Sequence, residues 1–202
     1  CTLTTQSGAS ILICEVTETV EKLLSLSKNL SDNAVYQSLK TDKRRKEYLA
    51  TRLALKQLVG IETDIIYDQN GKPSLSDHSK FVSISHSGKW VAVMTHENKP
   101  CGIDIECPTD KFEHLYTRFL SKEEQNYLKE NEDLMKVQIA WSAKEALYKI
   151  IGPEAVNFAD QLKILPFDKS SGHLLAEHVP TQRQYKLFFK CNADYNLVYC
   201  TD

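Results

Sequence analysis

An α+β chain of two similar lobes, each a small, mainly antiparallel sheet packed with a long helix, follows from three features of these 202 residues. Short β-branched apolar runs bounded by turn residues accompany two long stretches of helical periodicity. The order of elements then restarts near residue 101. The first strand recurs 91 positions on, from Ile11 to Gly102, and the long helix 92 positions on, from Asp42 to Leu134. Composition is that of an ordinary globular chain, 42% hydrophobic and 26% charged, so a substantial core is within reach. The lobes are assigned to residues 1–100 and 101–202. Element order alone leaves one irregular α+β domain as the alternative.

In the first lobe, Ser10–Val16 is an apolar, β-branched run and reads as a buried strand. Glu18–Leu26 and Asp42–Val59 carry apolar residues at threes and fours, and Gly60 stands where a helix C-terminal glycine belongs. Ile65–Tyr67 is a strand that enters the Asn70-Gly71 turn. Phe81–Ser85 and Val91–Thr95 flank His86-Ser87-Gly88-Lys89 as a hairpin. In the second lobe, Gly102–Glu106 is a strand and Ser121–Lys129 a helix. Leu134–Ile151 is a long helix stopped by Gly152-Pro153, and strands at Leu162–Leu165, Tyr185–Phe189 and Asn196–Tyr199 close the chain.

With 25 Lys and Arg against 27 Asp and Glu, the net charge of −2 offers no field for nucleic acid or an anionic membrane, so any anion site is local. The Lys43–Lys46 cluster is too small for a nucleic-acid footprint. No apolar run reaches the length of a membrane span. The six cysteines, at 1, 14, 101, 107, 191 and 200, form no CxxC pair and stand near no His at zinc-ligand spacing. They read as reduced thiols of a cytoplasmic protein.

Chemistry concentrates in two segments. Side chains alternate along Gly102-Ile103-Asp104-Ile105-Glu106, so both carboxylates share one face, about 7 Å apart. Such a pair is either a solvated strand edge or the ligand set of a cation, and hard oxygen donors suit Mg²⁺ or Mn²⁺. On Trp141-Ser-Ala-Lys-Glu-Ala-Leu-Tyr-Lys149, the buried stripe is Ala143, Leu147, Ile150 and Ile151, while Trp141, Glu145 and Lys149 step by four along a neighbouring face. Glu145 and Lys149 alone are an ordinary surface pair. A third acid and a lysine beside the acidic strand make a more demanding set.

In the first lobe, Arg45 and Arg52 lie seven apart on the long helix, beside Tyr48 and Leu55. An arginine in an apolar stripe needs a partner, either an acid of this chain or a phosphate of a ligand. Lys72 stands in the rigid Gly71-Lys72-Pro73 turn, and Ser85-His86-Ser87-Gly88 leaves a strand with three hydrogen-bonding side chains. Neighbouring strand residues point to opposite faces and no GxSxG elbow is present, so His86 does not form a nucleophilic pair with a serine.

Taken in order, Gly71-Lys-Pro73, Ile84-Ser-His-Ser87, Gly102-Ile-Asp-Ile-Glu106 and Trp141-Ser-Ala-Lys-Glu-Ala-Leu-Tyr-Lys149 resemble the 4′-phosphopantetheinyl transferases, specifically the monomeric two-lobed Sfp type. The likeness covers residues 42–165. It implies that the repeated element order is a pseudo-dimer with the active site at the lobe interface. It further implies that Asp104, Glu106 and Glu145 are metal carboxylates, and that Lys144 and Lys149 face a pyrophosphate. Arg45, Lys72, Ser85 and His86 become coenzyme A contacts, with Arg52 carried over less firmly and Lys28 the one basic candidate nearer the N-terminus.

The implied reaction moves the phosphopantetheine arm of coenzyme A to a serine hydroxyl of an apo acyl or peptidyl carrier protein and releases adenosine 3′,5′-bisphosphate. Glu145, Lys149 and Asp104 are the catalytic candidates, with Glu145 as general base. Phosphoryl transfer asks mainly for positioning and charge neutralisation, which this residue set would supply. Phe112, Leu115, Phe119 and Leu120 either line a groove for the carrier or pack a short helix onto the lobe. The alternatives are another Mg²⁺-dependent phosphoryl transferase or nucleotide hydrolase, and a non-catalytic scaffold that binds coenzyme A or a carrier.

Overall fold

The computed structural model describes residues 1–6, 8–27, 30–60, 64–128, 133–153 and 157–202; Lys28 lies outside them. The chain divides into two compact units, Cys1–Asn98 and Lys99–Asp202, each with an antiparallel sheet of its own.

The first unit opens with a hairpin of β1 (Thr2–Gln6) and β2 (Ala9–Glu15), turning at Gly8, whose φ of 83° a side chain would resist. β1 is a strand the sequence did not announce, because its Thr-rich run shows no alternation of apolar and polar residues. Its register sets Thr2 opposite Ile13, and one step further Cys1 and Cys14 are joined in a disulfide. This corrects the expectation of six reduced thiols: strand pairing brings these two sulfurs together although 13 residues separate them. The other four cysteines remain thiols.

Helix α1 (Val20–Leu26) starts on a Thr19 cap and α2 (Ala34–Ser38) on an Asn33 cap. Helix α3 (Asp42–Val59) runs between a Thr41 cap and Gly60, which takes the left-handed conformation at φ 76°. Ala50, Ala54 and Leu55 of α3 pack on Leu12 of β2. Strands β3 (Ile65–Tyr67) and β4 (Pro73–Leu75) pair across the turn at Gly71. Strands β5 (Phe81–Ser87) and β6 (Trp90–His96) pair across Gly88-Lys89. The four-stranded sheet has the order β1-β2-β6-β5.

In the second unit, β7 (Cys101–Glu106) is followed by α4 (Phe112–Leu115), α5 (Lys122–Leu128), α6 (Leu134–Ile151) and α7 (Phe158–Gln161). Strands β8 (Leu162–Ile164), β9 (His173–His178), β10 (Arg183–Cys191) and β11 (Asn196–Thr201) complete a sheet of order β7-β11-β10-β9-β8. β9 is a further strand that the sequence did not announce. Its Leu174 and Ala176 alternate with exposed residues, but the run is only six residues long and carries a histidine at each end.

Helix α6 is buried more completely than an amphipathic stripe requires. Val137, Ala140, Ala143, Ala146 and Leu147 are all sealed in the core, with Leu187 of β10 and Val198 of β11 beneath them. Gln138 and Ser142, also buried, dock the helix by hydrogen bonds: Gln138 donates to the Cys107 carbonyl at 2.9 Å, and Asn196 donates to Ser142 Oγ at 3.1 Å. Phe112, Phe119 and Leu120 are buried in this core as well, and Leu115 of that group is partly open. Among the described residues, no helix is long and apolar enough to cross a membrane.

Candidate active site

Gly102 decides where α6 lies. A Cβ at this position would overlap the Ala146 carbonyl oxygen and stand 2.9 Å from the Ala146 carbonyl carbon, so the helix main chain rests directly on the strand. Asp104 and Glu106 alternate with the buried Ile103 and Ile105, and therefore lie on the same face as Gly102, under α6. The helix then meets the two acids in turn. Trp141 Nε1 donates to Glu106 Oε1 at 3.3 Å, and Lys149 Nζ donates to Asp104 Oδ1 at 3.2 Å and to the Ile103 carbonyl at 2.6 Å. Glu145 sits one helical turn from each, between them.

The charges are coupled. Burial is the main reason the Glu145 carboxyl is pushed up to about 7; the nearby negative charge of Asp104 and, less, of Glu106 adds to it, against the pull of Lys149 and Lys111. Lys111 Nζ also lies 3.2 Å from Glu106 Oε1. Three carboxylates thus share one region, two of them with a lysine in contact. Among the described residues, no three acidic, histidine or cysteine side chains stand close enough as placed to hold one metal ion. The cations beside Asp104 and Glu106 are lysines instead.

Beside Glu145 opens a pocket of about 630 Å³. Its walls are aromatic: the Trp141 ring packs 5.0 Å from that of Phe119 and 5.7 Å from that of Phe158. Lys111 and Arg118 stand at its rim with Leu115. Phe112, Leu115 and Phe119 of its lining are among the groove candidates of the sequence; Phe158 was not legible there, because it approaches from a helix 17 residues after Trp141 in the chain.

Lys144 does not face a ligand, contrary to expectation. Its side chain is fully buried, and its ammonium donates to Phe119 O at 2.8 Å, Glu124 Oε2 at 2.8 Å and Phe158 O at 2.9 Å, which uses all three N–H bonds. Helical geometry explains the difference: Lys144 precedes Glu145 by one residue and so projects about 100° away from it, into the core. Its partner Glu124 had a sequence signal that went unread. Ser121-x-x-Glu124 is a capping box, closed here by Ser121 N on Glu124 Oε2 at 2.7 Å and Glu124 N on Ser121 Oγ at 3.2 Å.

The first-unit candidates sit on three different elements. Buried Glu47 of α3 collects His86 (Nδ1 to Oε1, 3.5 Å) and Arg44 (2.9 Å), with Lys43 at 4.0 Å. Arg45 is turned elsewhere, to the Leu39 carbonyl at 3.1 Å and Asp42 at 3.5 Å. The structure therefore brings Arg44, not Arg45, to the carboxylate that His86 also meets. Arg52 lies over the Tyr48 ring at 3.3 Å and donates to the Tyr48 carbonyl at 3.4 Å; burial lowers its pKa, while Asp64, an acid of this chain, and Tyr67 act in the opposite direction. Ser85 is buried on β5, and Lys72 is exposed on the β3–β4 turn, whose backbone Asp68 holds by accepting from Lys72 N at 2.9 Å.

Comparison with known proteins gives this geometry its context. The sequence model of the 4′-phosphopantetheinyl transferase superfamily matches residues 100–200, the stretch that holds β7, α6 and the aromatic pocket. The "4′-phosphopantetheinyl transferase AcpT" of Salmonella typhimurium strain LT2 is 26% identical over 151 residues, covering 72% of this chain and 79% of its own length. The protein of the same name from Salmonella typhi is similar to the same extent.

Proposed function

Since the chain belongs to the 4′-phosphopantetheinyl transferase superfamily, we propose that it is a two-lobed transferase of the Sfp type that loads apo acyl or peptidyl carrier proteins from coenzyme A. That it is a 4′-phosphopantetheinyl transferase rests on the family itself; the type and the carrier are the finer reading. The observation that carries it is the gathering of Asp104, Glu106, Glu145 and Lys149 over one face of β7, beside an apolar pocket.

In the proposed reaction the carrier's serine Oγ bonds to the phosphorus that bears the pantetheine arm. The phosphoanhydride bond breaks, and its electron pair leaves with adenosine 3′,5′-bisphosphate. Glu145 takes the hydroxyl proton and is the general base of this reading. Lys149, held in place by the Ile103 carbonyl and Asp104, offers its ammonium to the phosphate oxygens. The aromatic pocket takes the pantetheine arm and keeps water from the reacting groups.

The donor chemistry suits a hard divalent cation, because three carboxylates neighbour one another on this face, although as placed they do not converge on a single point. Asp104, Glu106 and Glu145 would hold Mg²⁺ or Mn²⁺, which when bound supplies positive charge to the pyrophosphate. Lys72, Ser85 and His86 are proposed for the nucleotide end of coenzyme A. Arg45 shares that assignment from the family likeness, and Arg44 joins it on the geometry around Glu47.

The test is the intact mass of an apo carrier protein after incubation with this chain, coenzyme A and Mg²⁺. The expected product has gained one phosphopantetheine group. An unmodified carrier accompanied by cleaved nucleotides would instead identify a hydrolase.

A further inference from the structure

We infer that the buried Glu124–Lys144 pair is a positioning device that sets the aromatic walls of the pocket beside Glu145. This deepens the reading that the pocket takes the pantetheine arm, and rests on it.

Lys144 reaches the backbone of two of the three pocket phenylalanines, donating to the carbonyls of Phe119 and Phe158. The rings of both pack on Trp141, as does that of Phe112, and all four residues line the pocket. Glu124 completes the clamp. One oxygen accepts from Lys144 and Ser121 N, and the other accepts from Ile164 N at 2.8 Å. One ion pair therefore ties together the start of α5, the middle of α6, the first turn of α7 and strand β8. Trp141 and Glu145 stand on α6 three residues before and one residue after the lysine, so the same few atoms fix both the pocket and the acid that opens onto it.

The energetics favour geometry over stability as the role of the pair. Both side chains are fully excluded from water. The attraction within such a pair is largely cancelled by the loss of hydration, and an apolar replacement of both partners is often neutral or stabilising. Binding of a long, flexible arm is different. It depends on two rings being held at fixed separation, because a loosened wall must be ordered again at the expense of affinity.

The experiment compares two ligands on protein carrying Trp90→Phe, so that Trp141 is the only tryptophan and its emission reports the pocket. Coenzyme A carries the arm; adenosine 3′,5′-bisphosphate lacks it. In the Glu124→Gln/Lys144→Met double variant, the dissociation constant for coenzyme A should rise about tenfold while that for the bisphosphate stays within about twofold, and the Trp141 emission of the ligand-free protein should shift. Glu124→Gln alone, which keeps the shape and an acceptor for Lys144, should show the same split at smaller amplitude and serves if the double variant does not fold. Equal losses for the two ligands, or no loss for either, would overturn the inference. If the parent protein itself binds both ligands equally, the arm is not in the pocket, and the inference falls with the reading beneath it. If the parent discriminates and the variants discriminate as well, the inference alone falls.

Discussion

Gly102 and Ala146 touch main chain to main chain, and everything that α6 presents to β7 depends on that contact. Substituting Gly102→Ala inserts a methyl group where the helix carbonyl already stands, with Ile150 Cγ1 a further 3.3 Å contact. The expected cost is about 1–3 kcal/mol, as for overpacking elsewhere, read as a lower urea midpoint. Transfer activity should fall by more than this loss of folded protein explains, because the displaced helix carries Glu145 and Lys149 together.

Lys149 provides the complementary case, a side chain whose removal should spare the fold. It is about one-quarter exposed and joins an ion pair at 3.2 Å. Lys149→Met should lower kcat/KM about 100-fold, as loss of a positioned charged donor does in other active sites. The thermal midpoint should move by only a few degrees, since the protein loses a single partly solvated pair. A midpoint that collapses in step with activity would make Lys149 structural.

Stability should depend on pH through Glu145. Its folded-state carboxyl is raised from 4.5 to about 7, chiefly by burial. Between those values the native protein keeps a proton that the unfolded chain has released, so this group's contribution is fully present below 4.5 and is lost as pH rises towards 7. Urea midpoints measured from pH 5 to 8 should therefore fall with rising pH in the wild type, and less steeply in Glu145→Gln. Added Mg²⁺ should raise the midpoint at pH 8 more than at pH 5.5, because only the ionised carboxylates attract it. Identical pH slopes in the two proteins would place Glu145 in ordinary solvent.

Glu47 links His86 and Arg44, and the three should behave as one unit. Glu47→Gln and His86→Gln are each expected to weaken coenzyme A binding about fivefold, with the double variant losing less than the product of the two. Calorimetric titration of all four proteins measures this directly. Full additivity would show that Glu47 does not orient His86.

The two 18-residue helices were legible in the sequence because their signals are local: threes-and-fours spacing, a cap residue and a glycine stop. The acidic face of β7 was legible for the same reason, through simple alternation. What stayed hidden depends on residues far apart in the chain. Gly102 reads as one more glycine until Ala146, 44 positions later, is laid on it. Lys144 reads as a twin of Lys149 on a motif, yet one step along the helix turns it inward, where Glu124 waits 20 residues earlier. Glu47 gave no signal, because a carboxylate after four basic residues at a helix start looks like routine surface pairing. The disulfide escaped for want of β1: without that strand, nothing brings Cys1 to Cys14.

That sulfur bridge also governs how the first sheet meets its surroundings. β1 is a rim strand, and an outer rim with unsatisfied backbone groups is where sheets of separate molecules join. While Cys1 and Cys14 are bonded, β1 cannot peel away from β2. Under a reductant it can, and the bared rim would then be Ile11, Leu12 and Ile13, an apolar run suited to pairing with a neighbour. A bond that at first sight only closes a loop thus also decides which strand forms the border of the first sheet.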